Sequence, residues 1–174
     1  MPRNVSGRFA SYGSRMAIVT TAMTGAEQLE AVFREDGDRL WRALVTFSGD
    51  PDLASDAVAV AFAQALRRGD ALRDPQAWVW RVSFRLAAGE LKRRSTTVRA
   101  IPEAGYVDPE LDAELHDALT RLPTQQRACV VLFYYLDAPI AEIARRTGMS
   151  NLSVRVNLSR GRARLRQLLG DRDD

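Results

Sequence analysis

A tight turn between two short amphipathic segments, spanning Pro139 to Arg160, constrains this chain more than any other feature of its sequence. Ile140, Ile143 and Ala144 recur at i, i+3 and i+4, which gives a first helix one apolar stripe. Pro139 suits the first turn of that helix, where a missing N–H costs nothing. Arg145 and Arg146 fall in its last turn, and Gly148 then supplies the backbone freedom that a sharp turn needs. Ser150 is a good cap for a second helix. There Val154, Leu158, Leu165 and Leu169 keep one face apolar, while Arg155, Arg160, Arg162, Arg164 and Arg166 decorate the rest. This is the sequence form of a helix-turn-helix.

A helical hairpin with solvated charges would use the same residues, but three features oppose it. Only Glu142 faces the seven arginines between Ile140 and Leu169, so i, i+4 partners of opposite charge are nearly absent. The turn is short and contains glycine. Small polar residues also occupy the opening of the second helix, where base edges are read. The residues expected to meet duplex DNA are Ser150, Asn151, Ser153, Arg155, Asn157, Arg160 and Arg162. Their chemistry is phosphate neutralisation by arginine together with base-edge reading.

Upstream, the pattern is helical throughout. Met1 to Thr24 is polar, without a helical period, and is expected to be a disordered tail, with Met16 or Met23 as alternative initiators. Leu29, Val32, Phe33, Leu40, Leu44, Val45 and Phe47 then trace an amphipathic helix with Trp41 beside the stripe. Pro51 interrupts this helix and can open the next, which is rich in alanine and valine from Leu53 to Leu66. Asp74-Pro75 begins a third helix that ends in Lys92-Arg93-Arg94. Pro102, Gly105 and Pro109 mark residues 95–109 as a linker, and helices resume at Glu110–Arg121 and Pro123–Leu136. No segment alternates as a strand does. The expected fold is all-α: a tail (1–24), a helical domain (25–94), a flexible linker (95–109) and a helix-turn-helix domain (110–174).

The third helix interleaves aromatic and cationic groups. Trp80, Arg81, Arg85, Lys92 and Arg93 have the chemistry to stack on unpaired bases and follow a single-stranded backbone. Trp78, Val82 and Leu86 at i, i+4 and i+8 read as core, and Trp80 stands between the two roles.

Charge distribution agrees better than total charge, which is only +3. Acids dominate Glu27 to Asp56, whereas bases dominate Arg81 to Arg99 and the C-terminal third, as expected if one part meets a protein and others meet nucleic acid. A lone His116, on a polar helix and expected at the surface, and a lone Cys129 in apolar surroundings provide no nucleophile–base pair, disulfide or metal-ligand spacing. No enzyme activity, metal or cofactor is expected. No apolar run is long enough to span a bilayer, and the N-terminus lacks a sustained secretory apolar core, so a cytoplasmic protein is expected.

These residues together resemble an extracytoplasmic-function (ECF) sigma factor of bacterial RNA polymerase. Sigma region two resembles Leu29–Arg94 and region four resembles Leu115–Leu169. The resemblance is carried by GDPDLASDAV at Gly49–Val58, AWVWRV at Ala77–Val82, the RLPTQQR run at Arg121–Arg127, the helix-turn-helix and the RARL tail. It implies that region two docks on the clamp of core RNA polymerase and helps melt the −10 promoter element. Region four would read the −35 element and rest on the polymerase flap. It further implies an anti-sigma protein as regulator, which no residue here identifies.

The resemblance assigns Asp56, Ala59, Val60 and Ala63 to the polymerase contact. Ala59 and Val60 stand where the family usually has Gln and Glu, and Arg85 and Gly89 where Asn and Asp are usual. Val156 and Asn157 replace small polar and basic residues, which should alter the promoter that is read. The alternative function is a stand-alone helix-turn-helix regulator derived from a sigma factor.

Overall fold

A computed structural model describes residues 23–96 and 112–170 of the chain. The expected tail up to residue 22, and the expected linker from residue 97, lie outside the described residues. Among the described residues there are seven α-helices and no strand.

Helix α1 (Gly25–Ser48) starts where Thr24 and Glu27 form a capping box: the Thr24 hydroxyl accepts from the Glu27 N–H, and the Glu27 carboxylate accepts from the Thr24 N–H at 2.7 Å. It stops at Gly49, whose φ of 72° is the left-handed turn glycine permits. Asp50 then caps α2 (Pro51–Arg68), accepting from the Asp52 and Leu53 N–H groups at 2.9 and 3.0 Å. Asp74 accepts from Ala77 N–H at 2.9 Å at the start of α3 (Pro75–Thr96), which runs two residues into the expected linker. Ala54, Ala57, Ala61 and Ala65 line the buried face of α2, and their small side chains let α1 and α3 approach closely. Around them pack Leu40, Leu44, Phe47, Val79, Trp80 and Phe84.

The second helical unit is α4 (Ala113–Thr120), α5 (Thr124–Val130), α6 (Ile140–Thr147) and α7 (Asn151–Leu169). Helix α5 continues into a π-helical turn, Val131–Tyr135, a widening that the apolar periodicity does not announce. Pro123 and Pro139 sit one residue before α5 and α6, at the cap position rather than inside the first turn. The turn between α6 and α7 forms as the sequence predicts. Gly148 adopts φ 77° with its N–H on the Ala144 carbonyl, and the Ser150 hydroxyl accepts from Ser153 N–H at 3.1 Å. Leu132, Ile143, Val154 and Leu158 make this unit's core. Cys129 is buried there, its thiol pushed up to about 11 by desolvation, which keeps it in the unreactive thiol form.

Three placements differ from the sequence reading. Phe33 is 59% exposed, because it packs edge-on against Phe62 of α2 instead of entering the core. Trp78 is half-buried beneath Arg68, whereas Trp80 is fully buried. His116 is buried rather than solvated, because the two helical units pack against each other and its ring faces Gly49. A methyl carbon added at Gly49 would stand 2.9 Å from the His116 Nε2.

Candidate nucleic-acid interface

The two units meet along α3 and α6. The guanidinium of Arg146 lies 4.0 Å from the centroid of the Trp80 ring and is itself buried. Its Nε donates to Glu142 at 2.5 Å, and Trp80 donates through Nε1 to Asp36 of α1 at 3.2 Å. Arg145 donates to Asp74 at 2.7 Å and to Gln76 at 3.0 Å, both on the opposite unit. Arg145 also donates to the Glu142 carboxylate at 2.8 and 2.9 Å, and the two arginines, Arg145 first and Arg146 after it, hold that carboxyl below its ordinary range. Arg81, also from α3, lays its aliphatic stem across the turn of the helix-turn-helix, close to Gly148.

A second contact joins the units at Arg127. This buried guanidinium donates to the Phe47 carbonyl at 3.0 Å, to the Leu122 carbonyl at 3.2 Å and to the Thr120 carbonyl. Phe47 and Thr120 end α1 and α4, so the cation sits at two negative helix termini. Desolvation lowers the Arg127 pKa, and the same cation, after burial, lowers that of His116. Neither contact is visible in the sequence, where Phe47 and Arg127 are 80 residues apart.

On α7 the expected readers divide. Ser150 and Ser153 hydrogen-bond each other within the cap, and Asn157 turns its amide back onto the Ser153 carbonyl at 2.9 Å. Arg162 lies over the Phe133 and Tyr134 rings, at 4.7 and 5.2 Å, in a groove that also includes Leu115, Leu165 and Leu169. Asn151, Arg155 and Arg160 are exposed. The sequence reading passed over Leu152, which is 73% exposed on the same turn. An exposed leucine beside a helix cap is the signal that would have found it.

On α3, Arg81, Arg85 and Lys92 are exposed, and Arg93 is exposed while bridging to Glu90 at 2.6 Å. Trp80 is covered by Arg146 in this arrangement and offers no ring face to a base. On α2, Asp56, Ala59, Val60 and Ala63 are all exposed at i, i+3, i+4 and i+7, forming one face. Leu66, 58% exposed, extends it by one turn. Among the described residues there is no group of His, Cys, Asp and Glu that could hold a metal ion, and no helix long and apolar enough to cross a membrane.

Residues 112–165 match the family model described as Sigma-70, region 4. The chain is 30% identical over 150 residues to the ECF RNA polymerase sigma factor SigM of Mycobacterium tuberculosis, covering 81% of this chain and 76% of that protein. It is 26% identical over 130 residues to the RNA polymerase sigma factor SigV of Bacillus subtilis, covering 69% of this chain and 78% of that protein. In fold it is similar to the sigma factor RpoE of Bartonella quintana, solved in complex with the anti-sigma factor NepR. The TM-score is 0.62, with 21% identity, over 86% of this chain and 98% of that one.

Proposed function

This chain belongs to the ECF RNA polymerase sigma factors, and we propose from that premise that it directs core RNA polymerase to promoters by contacting both promoter elements. The observation that carries the proposal is α7: a helix with no carboxylate, opened by a Ser150 cap after the Gly148 turn, within the stretch that matches sigma region four. Its solvent face is supplied with arginine for the phosphates that flank a groove.

Each unit then has its task. Asn151, Arg155 and Arg160 of α7 meet the −35 element. The exposed face of α2, from Asp56 to Leu66, meets the core enzyme through apolar contact at Ala59, Val60 and Ala63. Arg81, Arg85, Lys92 and Arg93 follow the backbone at the −10 element. Trp80 joins them only after α6 leaves α3, so promoter opening requires the two units to act as separable domains joined by residues 97–111.

The test is transcription from a cognate promoter by purified core polymerase with and without the full chain, beside duplex binding by the chain alone. Promoter-specific transcripts that require both proteins are expected. Tight, sequence-specific duplex binding without core polymerase, and no transcription with it, would make the chain a stand-alone helix-turn-helix regulator.

A further inference from the structure

Viewed down its axis, α7 carries an ordered pattern on the side facing away from the core. Leu152, Val156, Ser159 and Ala163, at i, i+4, i+7 and i+11, run along the middle of the exposed face, opposite buried Val154, Leu158 and Gly161. Leu152 is 73% and Val156 38% exposed, and both belong to the half of the helix nearest the turn. Arg155 and Arg166 lie along one flank of this strip, Arg160 and Arg164 along the other, and all four are exposed. No acidic residue occurs between Glu142 and Asp171, so the strip is framed by positive charge on both sides.

That arrangement matches the cross-section of a DNA major groove, which has phosphates along its two rims and base edges on its floor. The four floor-facing positions hold no amide or guanidinium; beside them, the Ser153 hydroxyl accepts from Ser150 and the Asn157 amide donates to the Ser153 carbonyl. The feature of a base-pair floor that an aliphatic side chain can read is the C5-methyl group of thymine.

We propose that Leu152 and Val156 read thymine methyl groups in the upstream promoter element, and that the flanking arginines fix the helix to the phosphates without choosing the sequence. This inference rests on the sigma-factor reading and deepens it by naming what the recognition helix selects. Leu152 does for this chain what a hydrogen-bonding residue does in a helix that reads guanine or adenine.

The experiment uses the full chain with core polymerase. Duplexes carrying a randomised upstream element are selected for holoenzyme binding, and affinities are then measured for the winners. Each selected thymine is replaced by deoxyuracil, which removes the methyl group and leaves base pairing intact. Thymines are expected in the selected element, with deoxyuracil weakening binding about fourfold per methyl, the transfer value of one buried methylene. Leu152→Ala should weaken the parent duplex by a similar factor and abolish the response to deoxyuracil at one position, and Val156→Ala at a neighbouring one. Leu152 is exposed and alanine is the better helix former, so the variant folds. Selected elements without thymine overturn the inference. So does a deoxyuracil penalty that is absent, or that persists in both variants. In those cases the holoenzyme still selects a promoter and the sigma reading stands. Failure to select any duplex, with no promoter-dependent transcript, overturns both.

Discussion

Arg146 of the helix-turn-helix and Trp80 of the first helical unit share one stacked contact, 4.0 Å from guanidinium carbon to ring centroid, in which both side chains are buried. The contact covers the ring face that the −10 role proposed above for Trp80 calls for. It is a cation–π pair at a desolvated site, worth about 2 kcal/mol.

Arg146→Ala should therefore loosen the packing of the two units, shifting the free chain toward open forms by up to ~2 kcal/mol. Fluorescence energy transfer between labels on α2 and α7 is the direct readout, and lower transfer efficiency is expected. An unchanged efficiency would mean that Arg145, with its bonds to Asp74 and Gln76, is enough to hold the interface.

Arg127 serves carbonyls at the ends of two helices from two units. Arg127→Met keeps much of the side-chain volume but leaves those carbonyls without their donor. A loss of about 1.5–3 kcal/mol is expected, the range for buried hydrogen bonds to a charged group. Denaturant unfolding measures it, and a loss below ~0.5 kcal/mol would rule out the bridging role.

His116 makes stability depend on pH in a definite direction. Burial first, then Arg127, pushes its pKa below the ordinary histidine value, against a smaller opposing pull from Asp117. The folded form thus favours the neutral ring, and the unfolded chain takes up its proton first as pH falls. Stability should be full above about pH 6.5 and decline below it. His116 is the only histidine in the sequence, and Glu90, held down to about 2 by Arg93 and Arg94, titrates far below this window. Melting temperatures between pH 8 and pH 5 should slope less in His116→Gln. Equal slopes would remove His116 as the cause.

Two glycines inside helices should respond oppositely to alanine. At Gly89 in α3 an added methyl carbon would meet nothing within 4 Å beyond its chain neighbours and its own helical backbone, so Gly89→Ala should stabilise by about 0.5–1 kcal/mol. At Gly161 in α7 the same carbon would meet Val130 at 2.8 Å and the Gln126 carbonyl at 3.4 Å. Gly161→Ala should cost about 1–3 kcal/mol by overpacking. Thermal denaturation of the two variants side by side gives the signs, and a stabilised Gly161→Ala would show that α5 and α7 can part at low cost.

Arg155→Ala should weaken binding by a similar factor on all duplexes and make its salt dependence shallower, as the loss of a phosphate contact does. A loss of about 1–3 kcal/mol confined to the cognate sequence would make Arg155 a base reader instead.

Local chemistry made the helices legible. Thr24, Asp50 and Ser150 are caps that announce themselves by residue type, and Gly148 ends α6 with the one backbone geometry that favours it. The helix-turn-helix was readable for the same reason, since its signals lie within a few residues of each other. What escaped were contacts between residues far apart in the chain: Gly49 with His116, Phe47 with Arg127, Trp80 with Arg146. Periodicity says that a side chain faces inward or outward along its own helix, and it carries no information about a second unit closing over that face. Hence Trp80 read as an open question and His116 as solvated. The polar side chains of α7 were legible as residues but not as conformers, because Ser153 and Asn157 each turn one bond back onto their own helix.

The bond from Trp80 Nε1 to Asp36 has a consequence beyond stability. Asp36 also accepts from Gln76 at 2.5 Å, and all three residues belong to the first unit, so departure of the second leaves this anchor intact. The indole is thus oriented by groups of its own unit, Asp36 at its edge and Phe84 behind it at 6.2 Å between ring centroids, and not by Arg146 alone. The conformational entropy of fixing that ring is spent during folding rather than at the moment of contact. A flat ligand that takes the place of the guanidinium therefore meets a preorganised platform, and the cost of uncovering it is confined to parting two surfaces.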